Sequence, residues 1–186
     1  MIVHVQPLVK DKFSEFGDVL EIPEVDCDAK PGTTSYHMDL TRLVNMRLPG
    51  AKGVAKELTL PAAKDTVSIF RVQPSPIPLS VSVLERHRYS SQMFIPMTGQ
   101  KSRYLVIVAQ PLPSDKPDLT TIKVFEASST QAFNYHPGTW HRSMIVLDHP
   151  IDFVVVDFNR DGNQLTADED CEEYFFRESP IHIDYN

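Results

Sequence analysis

The sequence predicts a mainly β protein, an antiparallel sandwich or barrel with a few short helices, and three observations carry that expectation. Short runs rich in β-branched and aromatic residues recur from Val67 to Phe158, with turn residues between most of them. Fifteen prolines punctuate the chain, and proline is excluded from helix interiors and strand centres. At 186 residues and 41% hydrophobic, with mean hydropathy −0.23, the chain can bury one full core and suits a single domain over 1–186.

In chain order, residues 2–8 alternate loosely. Over Val9 to Phe16 a short helix is expected, because Leu8, Phe13 and Phe16 share a helical face and Gly17 supplies a stop. The run DVLEI at Asp18 to Ile22 is strand-like. Pro23 to Thr34 collects Pro, Asp, Gly and Thr and reads as loop. Tyr36 to Leu48 fits helix and strand equally, and Ala51 to Lys64 reads as a small, basic, Pro-interrupted surface excursion. The β-type runs then follow: Val67–Val72, Leu79–Glu85, Met93–Met97, Tyr104–Ala109, Thr121–Glu126, Met144–Leu147 and Phe153–Phe158.

The net charge of −7 is concentrated at one end. Arg160 to Asn186 holds eight acids and two bases, so the body is nearly neutral and this acidic C-terminal extension, 160–186, is the one biased segment. Its aromatic residues Tyr174, Phe175 and Phe176 imply that part of it packs down. A Lys/Arg-rich face able to displace counterions from phosphates is missing, which argues against nucleic acid. Cys27 and Cys171 have no CxxC partner and are expected as free thiols. The N-terminal MIVHVQPLVKDKF has no apolar core behind a basic end, and no stretch reaches the ~18 apolar residues of a membrane span. The expectation is a cytoplasmic protein without a membrane partner.

Chemistry-bearing residues gather in two runs, LERHRYSSQMFIPMTG at Leu84 to Gly99 and His-Pro-Gly-Thr-Trp-His at His136 to His141. With a period of two along Leu79 to Glu85, Leu79, Val81, Val83 and Glu85 fall on one face, with His87 next. An apolar face that runs into a carboxylate and an imidazole projects both into a cavity, where burial demands partners. His136 and His141 are five apart, which places them on opposite strand faces unless Pro137-Gly138 turns the backbone and brings both inward. Trp140 is placed to wall the pocket.

These two runs resemble the paired motifs of the cupin barrels, a His-x-His, Glu, Pro, Gly hairpin facing a Pro-x-Gly-x-x-His hairpin. Glu85 and His87 stand at the histidine positions, Gln92 at the glutamate, Pro96 and Gly99 are in place, and Gly138-x-x-His141 matches the second motif, with His136 replacing its proline. The resemblance implies a cupin-type antiparallel β-barrel, or double-stranded β-helix. Over most of its length the chain resembles ureidoglycolate lyase, through QPLVKDKFSEFGDV, QPSPIPLSVSVLERH, SSQMFIPM, KPDLTTIKVF, NYHPGTWHRSM and DFVVVDF. One departure stands out: where that family carries an Arg-Tyr-His-Asp run, this chain reads Ser35-Tyr36-His37-Met38-Asp39, without the arginine.

The resemblance implies cleavage of ureidoglycolate to glyoxylate and urea in allantoin breakdown. A base must take the hydroxyl proton, an acid must protonate the departing nitrogen, and a cation must hold the carboxylate. Histidine suits both proton transfers. The expected catalytic residues are His136, His141, His87 and Glu85. Arg71, Arg86, Gln92 and Trp140 are the expected substrate contacts. A divalent metal, nickel by resemblance, is an expected cofactor on His87, Gln92 and His141. Pairing through an edge strand into a homodimer is likewise implied by the resemblance. The rival readings are another metal-dependent cupin enzyme, and a small-molecule-binding cupin without activity.

Overall fold

The computed structural model describes residues 1–22, 30–48, 60–160 and 170–185. Among these the regular structure is nearly all strand: β1 Ile2–Pro7, β2 Gly17–Leu20, β3 Lys64–Val72, β4 Leu79–Val81, β5 Val83–Arg86, β6 Gln92–Met97, β7 Arg103–Ala109, β8 Lys123–Ser128, β9 Ala132–Tyr135, β10 Trp140–Val146, β11 Ile151–Asn159, β12 Glu172–Phe175 and β13 Ile181–Asp184. One turn of helix, α1 Lys10–Phe13, and a 3-10 turn at Leu119–Thr121 complete the elements.

Eight strands form one sheet in the order β12-β5-β10-β7-β8-β1-β13-β4, and five form a second in the order β2-β9-β6-β11-β3. The faces that meet carry Phe94, Phe133, Tyr135, Phe153 and Val155 from the smaller sheet against Tyr104, Val106, Val108, Phe125 and Val146 from the larger. Phe13 and Phe16 plug this core, with the Phe13 ring edge-on to Phe125 and Phe133. A second core lies on the other face of the larger sheet, around Leu84, Leu105, Ile107, Val124, Trp140, Phe176, Ile181 and Ile183. Strand β7 feeds both, with Tyr104, Val106 and Val108 to one side and Leu105, Ile107 and Ala109 to the other. Its unbroken apolar run thus records burial on both faces. The result is the mainly β, cupin-type barrel that the sequence predicts.

The elements depart from expectation at informative places. The N-terminal helix is one turn long, yet Leu8, Phe13 and Phe16 are buried as its apolar face requires. Gly17 is fixed by a close approach: a Cβ there would sit 2.1 Å from the Asn134 carbonyl oxygen. Tyr36 to Leu48 is neither helix nor strand, with a single bridge from Asn45 to Ser90. Most of the 51–64 excursion and part of the 23–34 loop lie outside the described residues, as does Cys27.

The run Leu79 to Glu85 is two strands. The chain breaks at Ser82, and the side chains change phase there: Leu79, Val81 and Leu84 all enter the second core. Leu79 and Val81 therefore do not share a face with Glu85, contrary to the uninterrupted period of two. The C-terminal segment also folds onto its own chain, since β12 pairs with β5 and β13 lies between β1 and β4. No helix among the described residues is long and apolar enough to cross a membrane.

Candidate active site

Strands β5 and β10 pair with Glu85 directly opposite His141, and His141 opposite Val108. Val108 belongs to the core between the sheets, so His141 and Glu85 point there too. The register of β10 slips between Arg142 and Ile145, an irregularity that turns both Ser143 and Met144 to this inner face. Ser143 Oγ then donates to Glu85 Oε1 at 2.8 Å. The Glu85 carboxylate is thereby aimed along the strand pair, with its Oε1 3.7 Å from His141 Nε2.

His141 is buried, and its Nδ1 lies 2.8 Å from the Thr139 carbonyl oxygen. A carbonyl can only accept, so Nδ1 carries the proton and Nε2 keeps its lone pair. That Nε2 is fully buried without a hydrogen-bond partner. Burial pushes the imidazole down to about 4, against the opposing pull of Glu85 and with help from His87. Tyr135 stacks on the ring at 4.0 Å between centroids, and its own hydroxyl is buried, unpartnered and held far above its usual range by burial.

His87 follows β5. Its Nδ1 meets the Asp170 carbonyl oxygen at 2.6 Å, which fixes the same tautomer, and its ring stacks on His141 at 5.7 Å between centroids. Gln92 opens β6 opposite Tyr135, buried, with Oε1 unpartnered. Its side chain bonds Asp157 on β11, a carboxyl that burial raises and the neighbouring His87 pulls back. His87, His141, Glu85 and Gln92 thus come together inside the barrel, with Tyr135, Ser143 and Asp157 beside them.

Other expected site residues lie elsewhere. Tyr135 takes the inward position at the end of β9, so His136, one residue on, turns outward. It is 43% exposed, with Nε2 3.3 Å from Asp18 Oδ2. Gly138, at φ +80°, reverses the chain only after that, so the turn does not bring His136 to His141. Trp140 faces away from His141 because adjacent strand residues alternate. It packs in the second core beside Tyr174 and donates to the Asp115 carbonyl.

Arg86 lies on that same far side, its guanidinium 4.4 Å from the Trp140 ring centre and paired with Asp115 and Glu172. Arg88 joins the pair, and the two guanidiniums hold the Asp115 carboxyl well below the usual range. Arg71 is 68% exposed on the outer face of the smaller sheet, joined to Asp152 through two bonds of 2.6 Å. Neither arginine faces the histidines.

The atoms available to a metal are the Nε2 positions of His87 and His141 and the Oε1 of Gln92. Two imidazoles with backbone-anchored Nδ1 groups and an unpartnered amide oxygen fit a borderline divalent cation. The set is thin: among the described residues no three His, Cys, Asp or Glu side chains converge on one point.

Asp157 was legible in the sequence, since Phe153, Val155 and Asp157 alternate onto the inner face of β11. Tyr135 was legible by the same alternation. Ser143 was not, because the slip in β10 has no sequence signal.

Two facing β-sheets with a buried histidine set against a partly exposed carboxylate between them define a cupin-type barrel with an internal site. The chain matches the ureidoglycolate lyase family model over residues 1–184. It is 33% identical over 179 residues to a ureidoglycolate lyase of Pseudomonas syringae pv. syringae, covering 96% of this chain and 92% of that protein. A ureidoglycolate lyase of Pseudomonas putida strain F1 is 34% identical, over 96% of this chain and 94% of its own length. One of Pseudomonas fluorescens is 35% identical, with 94% and 91% covered. The chain belongs to the ureidoglycolate lyase family.

Proposed function

We propose that this protein cleaves ureidoglycolate to glyoxylate and urea, working as one domain. The observation that carries the reading is the buried, unpartnered Nε2 of His141 facing the Glu85 carboxylate. The imidazole is neutral at pH 7, as a base must be, because burial disfavours its charged form. The substrate hydroxyl gives its proton to Nε2 while its oxygen electrons form the aldehyde C=O bond. The C–N bond breaks, its electron pair leaves on the ureido nitrogen, and that nitrogen takes the proton back from His141. No net proton is consumed, so one imidazole serves as base and then acid. Glu85 stabilises the transient imidazolium, and Ser143 holds Glu85 in place. His87 stacks beside His141, and Gln92 stands on the facing sheet.

An alternative reading places a divalent metal, nickel as favoured by the imidazole donors, on His87, Gln92 and His141; the metal would then take the Nε2 lone pair of His141, and that imidazole would no longer serve as the base. When bound the metal would make the α-hydroxyl more acidic. Titration of the chelator-stripped protein with Ni²⁺ tests this directly, since a His87→Ala variant should lose a one-to-one binding isotherm. Full activity after exhaustive chelation would remove the metal from the mechanism.

A homodimer through β3 is also proposed. This strand is an edge of the smaller sheet, and its outer face joins Val67 and Ile69 to Ile95 and Met97, all exposed. A second copy related by a two-fold axis supplies a matching edge and the same apolar stripe. A cytoplasmic setting is proposed too, supported by the free thiol of Cys171.

The product assay decides the activity. Urea with glyoxylate supports the lyase, ammonia means hydrolysis of the ureido group, and no product sinks the enzyme reading.

A further inference from the structure

A substrate of this kind carries a carboxylate. Arg142 follows His141 on β10 and so falls on the face away from it, and the other described arginines nearest in sequence to the motifs are already committed. Arg86 and Arg88 serve Asp115 and Glu172, Arg71 serves Asp152, and Arg103 serves Asp148. Arg47 is different. Its side chain is 2% exposed, and one nitrogen, Nη2, bonds the Asp170 carboxylate. Its Nε and Nη1 are buried and meet no acceptor.

A guanidinium has five N–H donors, and here the three on Nε and Nη1 are unused. Leaving a buried donor without an acceptor forfeits its hydration with nothing in return. A fold that accepts this at a charged group has kept those donors for something else to fill.

The position of Arg47 says what. The segment around it is clamped to the turn between His87 and Gln92. Met46 N donates to the Tyr89 carbonyl at 2.8 Å, Ser91 N to the Val44 carbonyl at 2.9 Å, and Val44 N to Ser91 Oγ at 2.8 Å. Asn45 anchors the segment further, donating to the Ala63 carbonyl and accepting from Arg47 N. Asp170, the residue that holds Nη2, also offers the carbonyl that orients His87 at 2.6 Å. The guanidinium and the imidazole are therefore joined through a single residue. Asp170 accepts from Arg160 N as well, which helps to fix the carboxylate that holds Arg47.

We propose that Arg47 binds the carboxylate of the substrate, and thereby sets the preference for small α-hydroxy and α-oxo acids. This rests on the lyase reading for the identity of the substrate. The unused N–H groups bond the carboxylate while Asp170 holds Nη2, which fixes the α-carbon relative to His87.

Calorimetry with glyoxylate as the probe tests it without requiring turnover. Arg47→Gln should weaken glyoxylate binding at least tenfold relative to the parent, and an unchanged Kd overturns the proposal. If Arg47→Gln does not fold, Arg47→Lys keeps a charge beside Asp170 but lacks the planar fork of donors that Nε and Nη1 present. It should weaken binding at least fivefold, and a parent-like Kd again overturns the proposal.

Kinetics separate recognition from mere support of the fold. N-(hydroxymethyl)urea is the substrate without its carboxylate, and Arg47→Gln should lower kcat/KM on ureidoglycolate about a hundredfold while changing that of the analogue less than threefold. Equal loss on both substrates overturns the proposal in favour of a structural ion pair. A parent that binds glyoxylate through Arg47 yet releases no urea sinks the lyase reading alone.

Discussion

The buried imidazole of His141 makes stability depend on pH in a calculable way. Its folded value of about 4 lies below the ordinary 6.5 because burial penalises the cation more than Glu85 repays. Between these values the unfolded chain binds the proton and the folded chain does not, so stability rises with pH. The contribution is complete above pH 6.5 and is lost as pH falls towards 4, amounting to about 3 kcal/mol. Asp157 works with the opposite sign. Its raised folded value favours the fold at low pH and is lost as pH rises through that value. The lowered carboxyls of Asp115, Asp148 and Asp152 lose their contributions below the ordinary 3.8, outside the window.

A difference between parent and variant isolates the histidine. His141→Asn keeps a donor for the Thr139 carbonyl and removes the titration. Urea unfolding of chelator-treated protein at pH 7, 6, 5 and 4.5 should show the parent losing about 1.4 kcal/mol per pH unit more than the variant below pH 6.5. Parallel pH dependences in the two proteins would refute the burial of a neutral His141.

Glu85→Gln removes the charge opposite His141 and keeps the Ser143 bond, so kcat on ureidoglycolate should fall about a hundredfold with KM little changed; a parent-like kcat contradicts the assignment. Gly17→Ala forces a Cβ into the Asn134 carbonyl, and chemical denaturation should show a loss of about 3 kcal/mol. Ile69→Lys places a charge in the apolar stripe on the outer face of β3, and light scattering should then report monomer where the parent is dimer. A parent that is monomeric removes the dimer reading.

The barrel was legible because its signals are local. The apolar run of β7 and the alternation of β11 state their own burial. Glu85 and His87 lie inside as the sequence predicts, but for another reason: the break at Ser82 leaves Leu79 and Val81 in the second core, and pairing with His141 turns Glu85 inward. His136 misled because the turn at Gly138 comes two residues after it, too late to redirect its side chain. Arg86 sits beside the motif in sequence and Arg71 on the run Val67 to Val72, and both point away from the histidines in space. Arg47 was not legible, since its environment is made by Asp170, 123 positions away, and no local pattern encodes that meeting.

The central claim is that His141, facing Glu85 inside the barrel, carries the proton through the cleavage. The most direct measurement is the rate of urea and glyoxylate release from ureidoglycolate by the parent and by His141→Asn, with both shown to be folded at the assay pH. The account predicts stoichiometric urea and glyoxylate from the parent and at least a hundredfold lower kcat in the variant. A variant that turns over at the parent's rate contradicts it.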